Sequence, residues 1–271
     1  MATAKKKPGT AVAKWDEELA RQAQIAAGME ESTASGRFFG LEGGILTWND
    51  APIEGNQMAV VILDAVLENV YYDGPYIKGE PQSPHCFAHG RDENTMGPHK
   101  SVVEAGQAMA PQCKGCEMNE FGTANVGRGK ACRNTRRLAM IPAGHLTAAG
   151  KLELIDDAEH YESTQIGFMK LPVTSIKGYA AFVKQVAGAL KRPPHGIVTK
   201  VKVVPDPKSQ FKVIFEPLTQ LPDELMGAIM TRHEEAKSVI EFPYQLAEEE
   251  EQPQRRKPAT KKKTAARGRK Y

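Results

Sequence analysis

The clearest hydrophobic pattern in the chain is QMAVVILDAVLENVYYD at residues 57–73, which begins as a continuous apolar run and then alternates. A continuous run is typical of a strand buried on both faces, and alternation is typical of a strand buried on one face. The alternating part divides into two faces, Val66, Glu68, Val70 and Tyr72 on one, and Leu67, Asn69 and Tyr71 on the other. The pattern predicts one long strand in which Tyr71 and Tyr72 face opposite ways.

Shorter patterns on both sides of this strand predict the remaining elements. Strands are predicted within residues 36–50, 136–143, 151–156 and 164–175, and a hairpin with a Pro-Asp-Pro turn within 196–218. Helical spacing predicts helices over 14–33, 176–192 and 221–240. Ser175 is a candidate cap for the second helix, and Pro222–Asp223 begins the third. About six short strands with few long helices predict a mainly β or α+β fold, either a barrel or a small sheet decorated by helices.

Residues 74–135 form an insertion that lacks hydrophobic periodicity and carries Gly, Pro, His and Cys. A loop of roughly sixty residues is rare in a compact domain unless something ties it down. Cys113 and Cys116 form a Cys-x-x-Cys with Gly115 in its turn, a spacing that points two thiolates at one ion. Zinc suits a closed site of four thiolates, and binding it would order the polar insertion. The predicted ligands of this structural zinc are all four cysteines of the chain: Cys86, Cys113, Cys116 and Cys132.

Other interpretations of the cysteines remain open to different degrees. A redox Cys-x-x-Cys usually opens a helix after a strand, and this one lacks that setting. A disulfide framework needs an oxidising compartment. An iron–sulfur cluster also accepts four cysteines, and the sequence does not distinguish it from zinc. His85, His89 and His99 lie in the same insertion, either as alternative ligands or as solvent-exposed loop histidines.

A basic run surrounds the last cysteine, with five positive charges and no acid between residues 128 and 137. Guanidinium and ammonium groups are the usual contacts of phosphate, and a metal at Cys132 would hold them in position. The predicted phosphate contacts are Arg128, Lys130, Arg133, Arg136 and Arg137. Binding of a single strand also needs aromatic stacking platforms, for which Tyr71, Tyr72 and Phe121 are the candidates. The alternative is a solvent-exposed loop whose positive charges balance nearby acidic residues.

The net charge of +3 is unevenly distributed. Twelve basic residues lie in two terminal segments, so removing their charges leaves the rest of the chain at −9. Residues 1–14 are predicted to be a flexible basic arm, and residues 247–271 a disordered tail, acidic and then basic. The chain has no apolar run of about 18 residues and no apolar run after its N-terminal lysines, which argues against a membrane partner and a signal peptide and favours the cytoplasm.

The run CKGCEMNEFGTANVGRGKACRNTRRLAMI, preceded by VVILDAVLENVYYDGPY and followed by FMKLPVTSIKGYAAFVKQV and GIVTKVKVV, resembles single-stranded DNA-binding proteins of tailed bacteriophages over residues 36–218. The resemblance implies an OB-like barrel of five to six strands with peripheral helices, within a domain at 15–246 that carries a zinc-binding insertion at about 74–135. It also implies zinc at the four cysteines, single-stranded DNA as the partner, no catalysis, and a role in phage replication or recombination, with proteins of those processes as possible partners in the cytoplasm of a bacterial host.

The tail departs from that resemblance, because such proteins often end in an acidic tail that recruits replication partners. Here a short acidic run, Glu248–Glu251, is followed by a strongly basic segment. Two other functions stay open. One is a zinc-ribbon regulator that binds a protein such as transcription machinery. The other is a metal-dependent nuclease that uses Asp156, Asp157 or Glu159.

Overall fold

A computed structural model describes residues 19, 21–22, 38–74, 82–125, 127–147 and 150–246. The predicted basic arm at 1–14 and the predicted tail at 247–271 lie outside these residues. Of the helix predicted over 14–33, Leu19, Arg21 and Gln22 are described, and all three are helical.

The described chain alternates strands and a few helices. The strands are β1 (Phe39–Gly40), β2 (Thr47–Trp48), β3 (Ala51–Pro52), β4 (Gln57–Tyr71), β5 (Cys86–Gly90), β6 (Arg133–Leu146), β7 (Leu152–Leu154), β8 (Gly167–Leu171), β9 (Ile197–Asp206) and β10 (Gln210–Gln220). The helices are α1 (Lys100–Glu104), α2 (Ala158–Ser163), α3 (Ile176–Gln185) and α4 (Asp223–Val239). A π turn continues α3 over Val186–Leu190.

The long strand β4 organises an antiparallel sheet of seven strands in the order β10-β9-β4-β6-β7, with β5 also paired to β4 and β8 to β6. One edge of β4 pairs with β6, and the other pairs with β9 over Gln57–Val61 and with β5 over Leu67–Tyr71. Strands β1, β2 and β3 form a separate small sheet. The mixed α+β class is thus confirmed. Within the described residues no strand pair closes the large sheet into a barrel.

A β-bulge divides β4 where Leu63 is inserted between Ile62 and Asp64 in the pairing with β6. An extra residue exchanges the two faces of the strand. Val60 and Ile62 therefore face one core, whereas Val61, Leu63 and then Val66 face the other. The predicted alternation beyond residue 65 is confirmed, with Glu68 and Val70 on one face of the sheet and Asn69 on the opposite face.

Two hydrophobic cores lie on the two sides of the sheet. The first core packs β4, β6, β8, β9 and β10 against α3, through Tyr179, Phe182 and Val186 of the helix and its π turn. The second core packs the opposite faces of β4, β6 and β8 against α2 and α4. The helix predicted over 176–192 is confirmed over Ile176–Gln185 and its π turn. Ser175 occupies the predicted N-cap position of α3, but its side chain makes no capping hydrogen bond and instead accepts the backbone N–H of Val213 at 2.9 Å.

The hairpin of β9 and β10 and the start of α4 after Pro222 are confirmed. The insertion, in contrast, is more structured than its sequence predicts. Residues 86–90 extend the large sheet as β5, and Phe87 packs with Val70 and Val102 in a small cluster of its own. None of the helices in the described part of the chain has the length and hydrophobicity needed to cross a bilayer.

Candidate nucleic-acid interface and cysteine centre

The four cysteines line one cavity of about 20 Å³, together with Asn69 and Tyr71 of β4. That volume holds about one small ion or water molecule. Cys86 starts β5, Cys113 and Cys116 sit on a turn of the insertion, and Cys132 directly precedes β6. The described structure therefore brings together four thiols that are up to 46 positions apart in the chain.

Backbone hydrogen bonds tie the cysteines to other parts of the insertion. The N–H of Cys113 donates to Met96 O at 2.9 Å, and the N–H of Cys132 donates to Met118 O at 2.7 Å. Gly115 has a φ of +78°, a left-handed conformation that favours glycine. The Nδ2 of the buried Asn119 donates to Cys113 O at 2.8 Å. The turn is thus fixed by its backbone and by one buried amide.

Burial and mutual proximity raise the pKa values of three thiols in this cavity, Cys86, Cys113 and Cys132. Burial raises the pKa of Cys132 to about 12, with further contributions from Cys113, Cys86 and Cys116. Burial is also the main cause that raises the pKa values of Cys86 and Cys113. The raised pKa values favour the neutral thiol at Cys86, Cys113 and Cys132. All four cysteines are free of disulfides. A bound cation reverses this preference and deprotonates coordinating thiols outright.

The donor set is all sulfur, which suits zinc or an iron–sulfur cluster better than magnesium or calcium. Within the described residues, no group of three or more His, Cys, Asp or Glu side chains is arranged so that it could hold a metal ion. Neutral thiols have no electrostatic reason to converge, whereas thiolates around a cation do. The chemistry of the donor set fits a thiolate-bound metal.

The loop between the turn and β6 presents a cation and an aromatic ring together. Lys130 Nζ donates to Asn119 Oδ1 at 3.2 Å and lies 5.2 Å from the centre of the Phe121 ring. Phe121 is 80% exposed. The hydroxyl of Thr123 ties the loop by donating to Glu120 O at 2.7 Å. Asn119 thus connects the cysteine turn to Lys130, so ordering the turn also positions the lysine.

A groove of about 530 Å³ lies beside this loop, where β4 ends and β6 begins. Four of the predicted nucleic-acid contacts line it: Tyr71, Tyr72, Lys130 and Arg133. The Arg133 guanidinium carbon lies 5.5 Å from the centre of the Tyr72 ring, within the range of a cation–π interaction. We call this feature the strand groove. It combines two aromatic rings with two cations, which is the composition of a stacking and phosphate-binding surface.

The remaining predicted contacts lie elsewhere. Phe121 is exposed beside the strand groove on the Lys130 loop, and Arg128 is exposed on the same loop. Arg136 alternates with Arg133 along β6, so it faces the opposite side of the sheet and lines a separate cavity. The basic run therefore does not form one continuous surface.

Arg137 is fully buried and is not a phosphate contact. It forms an ion pair with Glu68 at 3.1 Å and donates to the carbonyl oxygens of Ile240 and Phe242 at 2.9 and 3.0 Å. The Tyr244 hydroxyl donates to the same carboxylate. Burial alone would raise the pKa of Glu68, but the charges of Arg137 and Lys170 hold it below its usual value. These groups form a buried charge cluster with no path to a bound strand.

The sequence analysis missed Asn119 and Glu68, for different reasons. Nothing local distinguishes Asn119 from the other polar residues of the insertion. Glu68 had a signal, since it is a lone acid on the apolar side of an alternating strand, and such an acid requires a buried partner. Among the acids proposed for a nuclease, Asp157 caps α2 by accepting the N–H of Glu159 at 3.0 Å.

No protein family, no curated protein and no solved structure was found to match this chain. A functional proposal therefore rests on the geometry of the strand groove and of the cysteine cavity.

Proposed function

We propose that this protein binds single-stranded DNA without catalysis, through the strand groove, and that structural zinc at the four cysteines holds the groove in shape. The observation that carries the proposal is the convergence of Tyr71, Tyr72, Lys130 and Arg133 on one groove. Stacking on aromatic rings tolerates any base, and cations beside the rings bind the backbone. A protein of this kind would serve phage replication or recombination, as the resemblance implies.

The strand connections support an OB-like barrel as the scaffold. Taken as strands 1 to 5 of such a barrel, β4, β6, β8, β9 and β10 pair as 1–2, 2–3, 1–4 and 4–5. Helix α3 lies between the third and fourth strands, as in that fold. The pair of strands 3 and 5 that would complete the closure is not among the described pairs. In OB folds the loop between strands 1 and 2 contributes to ligand binding, and here that loop is the cysteine insertion.

The negative charge of the chain outside its termini is the main argument against binding of single-stranded DNA. The body outside the basic termini carries −9. At physiological salt, however, the potential of exposed charges decays over about 8 Å. Lys130 and Arg133 therefore attract phosphate locally, and distant acidic residues weaken that attraction little.

Fluorescence anisotropy of a labelled single strand and of a matched duplex tests the proposal, with the full chain across a salt series. A second full-length protein, with the nine basic residues between 255 and 270 replaced by glutamine, removes the charge of the tail. We expect this variant to keep its preference for the single strand. Tyr72→Ala combined with Arg133→Gln should lower strand affinity by about a hundredfold, whereas the exposed Lys184→Gln on α3 should not change it.

Three results would contradict this function. Equal affinity for duplex and single strand, or loss of all binding with the tail charges, would leave the tail as a generic polycation. Cleavage of the strand that requires added magnesium would instead identify a nuclease.

Zinc has an independent test. Protein purified without chelator should contain one zinc per chain, and Cys116→Ser should lose it. A visible absorption band with bound iron would instead identify an iron–sulfur cluster. Lys130→Gln is the matched control, because it changes the loop beside the turn and leaves all four thiols and the bond from Asn119 to Cys113 O in place.

A further inference from the structure

A second cavity opens where one edge of β4 changes partner. β9 pairs with this edge as far as Val61, and β5 begins pairing at Leu67, so the residues between them have no strand partner on that side among the described residues. The β-bulge at Leu63 lies in this gap. A cavity of about 310 Å³ remains between β4, α3, α4 and the turn at Pro194–Gly196. We call it the bulge cavity.

Two histidines enter the bulge cavity from elements other than β4. His233 of α4 lies with its Nδ1 2.6 Å from the carbonyl oxygen of Leu63, which the bulge leaves without a strand partner. A carbonyl only accepts, so Nδ1 donates and Nε2 is the ring atom left for another partner. The His195 ring lies 4.1 Å from the His233 ring, centre to centre, and forms no hydrogen bond with a described residue. Two imidazoles in contact repel one another when protonated, and an anion at their edges removes that repulsion.

The carboxylates around the bulge cavity are already paired. Asp64 accepts two hydrogen bonds from Arg91, at 2.8 and 2.6 Å. Glu234, which acts on His195 from α4, is bonded to Lys237 at 2.7 Å. Glu93 is exposed, acts on Arg136 from a distance and forms no ion pair with it within the described residues.

Arg136 is the arginine of the bulge cavity that has no ion-pair partner among the described residues. Its hydrogen bond within the described residues is to Thr135 O, at 3.3 Å. Its guanidinium lines the bulge cavity half-buried, and burial lowers its pKa. A half-buried guanidinium with one long hydrogen bond retains several free donors in a planar fork that matches phosphate oxygens.

Part of the lining of the bulge cavity is apolar and aromatic. Ile62 and Leu67 of β4 line it together with Tyr179 and Val183 of α3. Sites for small molecules combine such walls with a few converging polar groups, and the volume lies near the lower end of their range. The cavity therefore fits an anionic group attached to a small ring, rather than a bare inorganic ion alone.

We propose that the bulge cavity binds a nucleotide phosphate, anchored by Arg136, with Arg91, His195 and His233 as further donors and with Tyr179 facing the sugar or base. The phosphate belongs either to a free nucleoside monophosphate or to a DNA strand. This site is independent of the strand groove, because Arg133 and Arg136 lie on opposite faces of β6.

Isothermal titration of the full chain with thymidine 5′-monophosphate, and separately with inorganic phosphate, tests the proposal. We expect saturable binding of both, tighter for the nucleotide because of the apolar wall. Arg136→Gln should weaken both by about tenfold or more, as for a lost charged hydrogen bond. Arg136→Lys should restore part of the affinity. Arg133→Gln, on the opposite face of the same strand, should leave nucleotide binding unchanged.

His233→Asn gives a second test of the site that does not depend on Arg136. The asparagine amide replaces the donor to Leu63 O, so the fold keeps that bond while the free Nε2 is lost. Nucleotide binding should weaken severalfold with an unchanged melting temperature. The absence of saturable binding at millimolar nucleotide, or wild-type binding by both Arg136→Gln and His233→Asn, would overturn the proposal.

Competition identifies the source of the phosphate. If thymidine monophosphate displaces a labelled strand and Arg136→Gln weakens both ligands, the cavity holds a phosphate of the strand. If the nucleotide binds without displacing the strand, the cavity holds a free nucleotide. The groove variants report on strand binding separately, so failure of the strand-binding function leaves the nucleotide titration interpretable.

Discussion

Arg133 and Arg137 lie on the same face of β6, four residues and roughly 13 Å apart, in opposite environments. Arg133 is exposed at the strand groove, beside the ring of Tyr72. Arg137 is fully buried between Glu68 and the segment that follows α4. The difference teaches that a run of basic residues on one strand does not define one function. What packs over each residue decides whether its charge stabilises the fold or remains available to a ligand.

Replacing the buried arginine should have the largest effect on stability. Arg137→Gln removes the buried cation paired with Glu68 and leaves that buried carboxylate with Lys170, 3.6 Å away, as its remaining ion-pair partner. Removing one partner of a buried ion pair costs up to about 3–5 kcal/mol. Denaturant unfolding should show this loss. Arg133→Gln is the matched control and should change the free energy of unfolding by less than about 0.5 kcal/mol. Similar losses in the two variants would remove the contrast between the two ends of β6.

The stability of the region around Arg137 should also depend on pH through His89, which lies opposite Glu68 on β5. Burial lowers the pKa of His89 from 6.5 to about 4, with the charge of Arg137 as the next cause. Its contribution to stability is complete above pH 6.5 and is lost as the pH falls toward 4, because only the unfolded chain takes up the proton easily. The loss is of the order of 3 kcal/mol.

Chemical denaturation at several pH values checks this prediction, with His89→Phe as the variant. We expect the variant to have a shallower dependence between about pH 6.5 and pH 4. Some slope should remain, since His99 and His195 also have lowered pKa values caused mainly by burial. The lowered pKa of Glu68 adds a loss only below about 4.5. An unchanged slope would show that the pKa of His89 is the same in the folded and the unfolded chain.

At the groove end, the ring of Tyr72 should matter more than any single charge. Stacking of a base on an aromatic ring contributes about 1–3 kcal/mol. Tyr72→Ala should therefore lower affinity for a single strand by roughly 5- to 150-fold, with the melting temperature little changed. Tyr72→Phe keeps the ring and should bind as the wild type does. If both substitutions weaken binding alike, the hydroxyl rather than stacking is responsible.

Arg133 should contribute through electrostatics alone. Arg133→Gln should weaken binding equally for all base sequences and reduce the salt slope by about 0.7, the value for one phosphate of a single strand. Anisotropy across a salt series measures the slope, and Lys184→Gln serves as the control. A sequence-dependent loss would indicate contact with base edges instead.

The smallest expected effect comes from Asn119→Ala, which frees Lys130 without removing it. Lys130 keeps its charge but loses the bond that positions it. We expect a loss of strand affinity below about fivefold, since an exposed charge without fixed geometry still attracts phosphate. If the affinity falls as far as in Lys130→Gln, the position of the lysine matters as much as its charge.

Much of this architecture was predictable because strand and helix periodicity is local. The long strand, the hairpin of β9 and β10, and the buried face of α3 all follow from residue spacing. The set of four cysteines follows from residue type, since these are all the thiols in the chain. The strand β5 was hidden because its five residues include a cysteine, a histidine and a glycine, which weaken any alternation.

The sequence by itself determined the long strand, the hairpin and the longer helices, the cysteine set and the clustering of basic residues, because each depends on neighbours a few positions away. Only the tertiary structure decided which basic residues meet a ligand. Arg137 is covered by carbonyl groups 103 and 105 positions further along the chain, and the bulge cavity joins β4 to α4 across 170 positions. Burial depends on which distant segment packs over a residue, and periodicity within a strand carries no information about that segment.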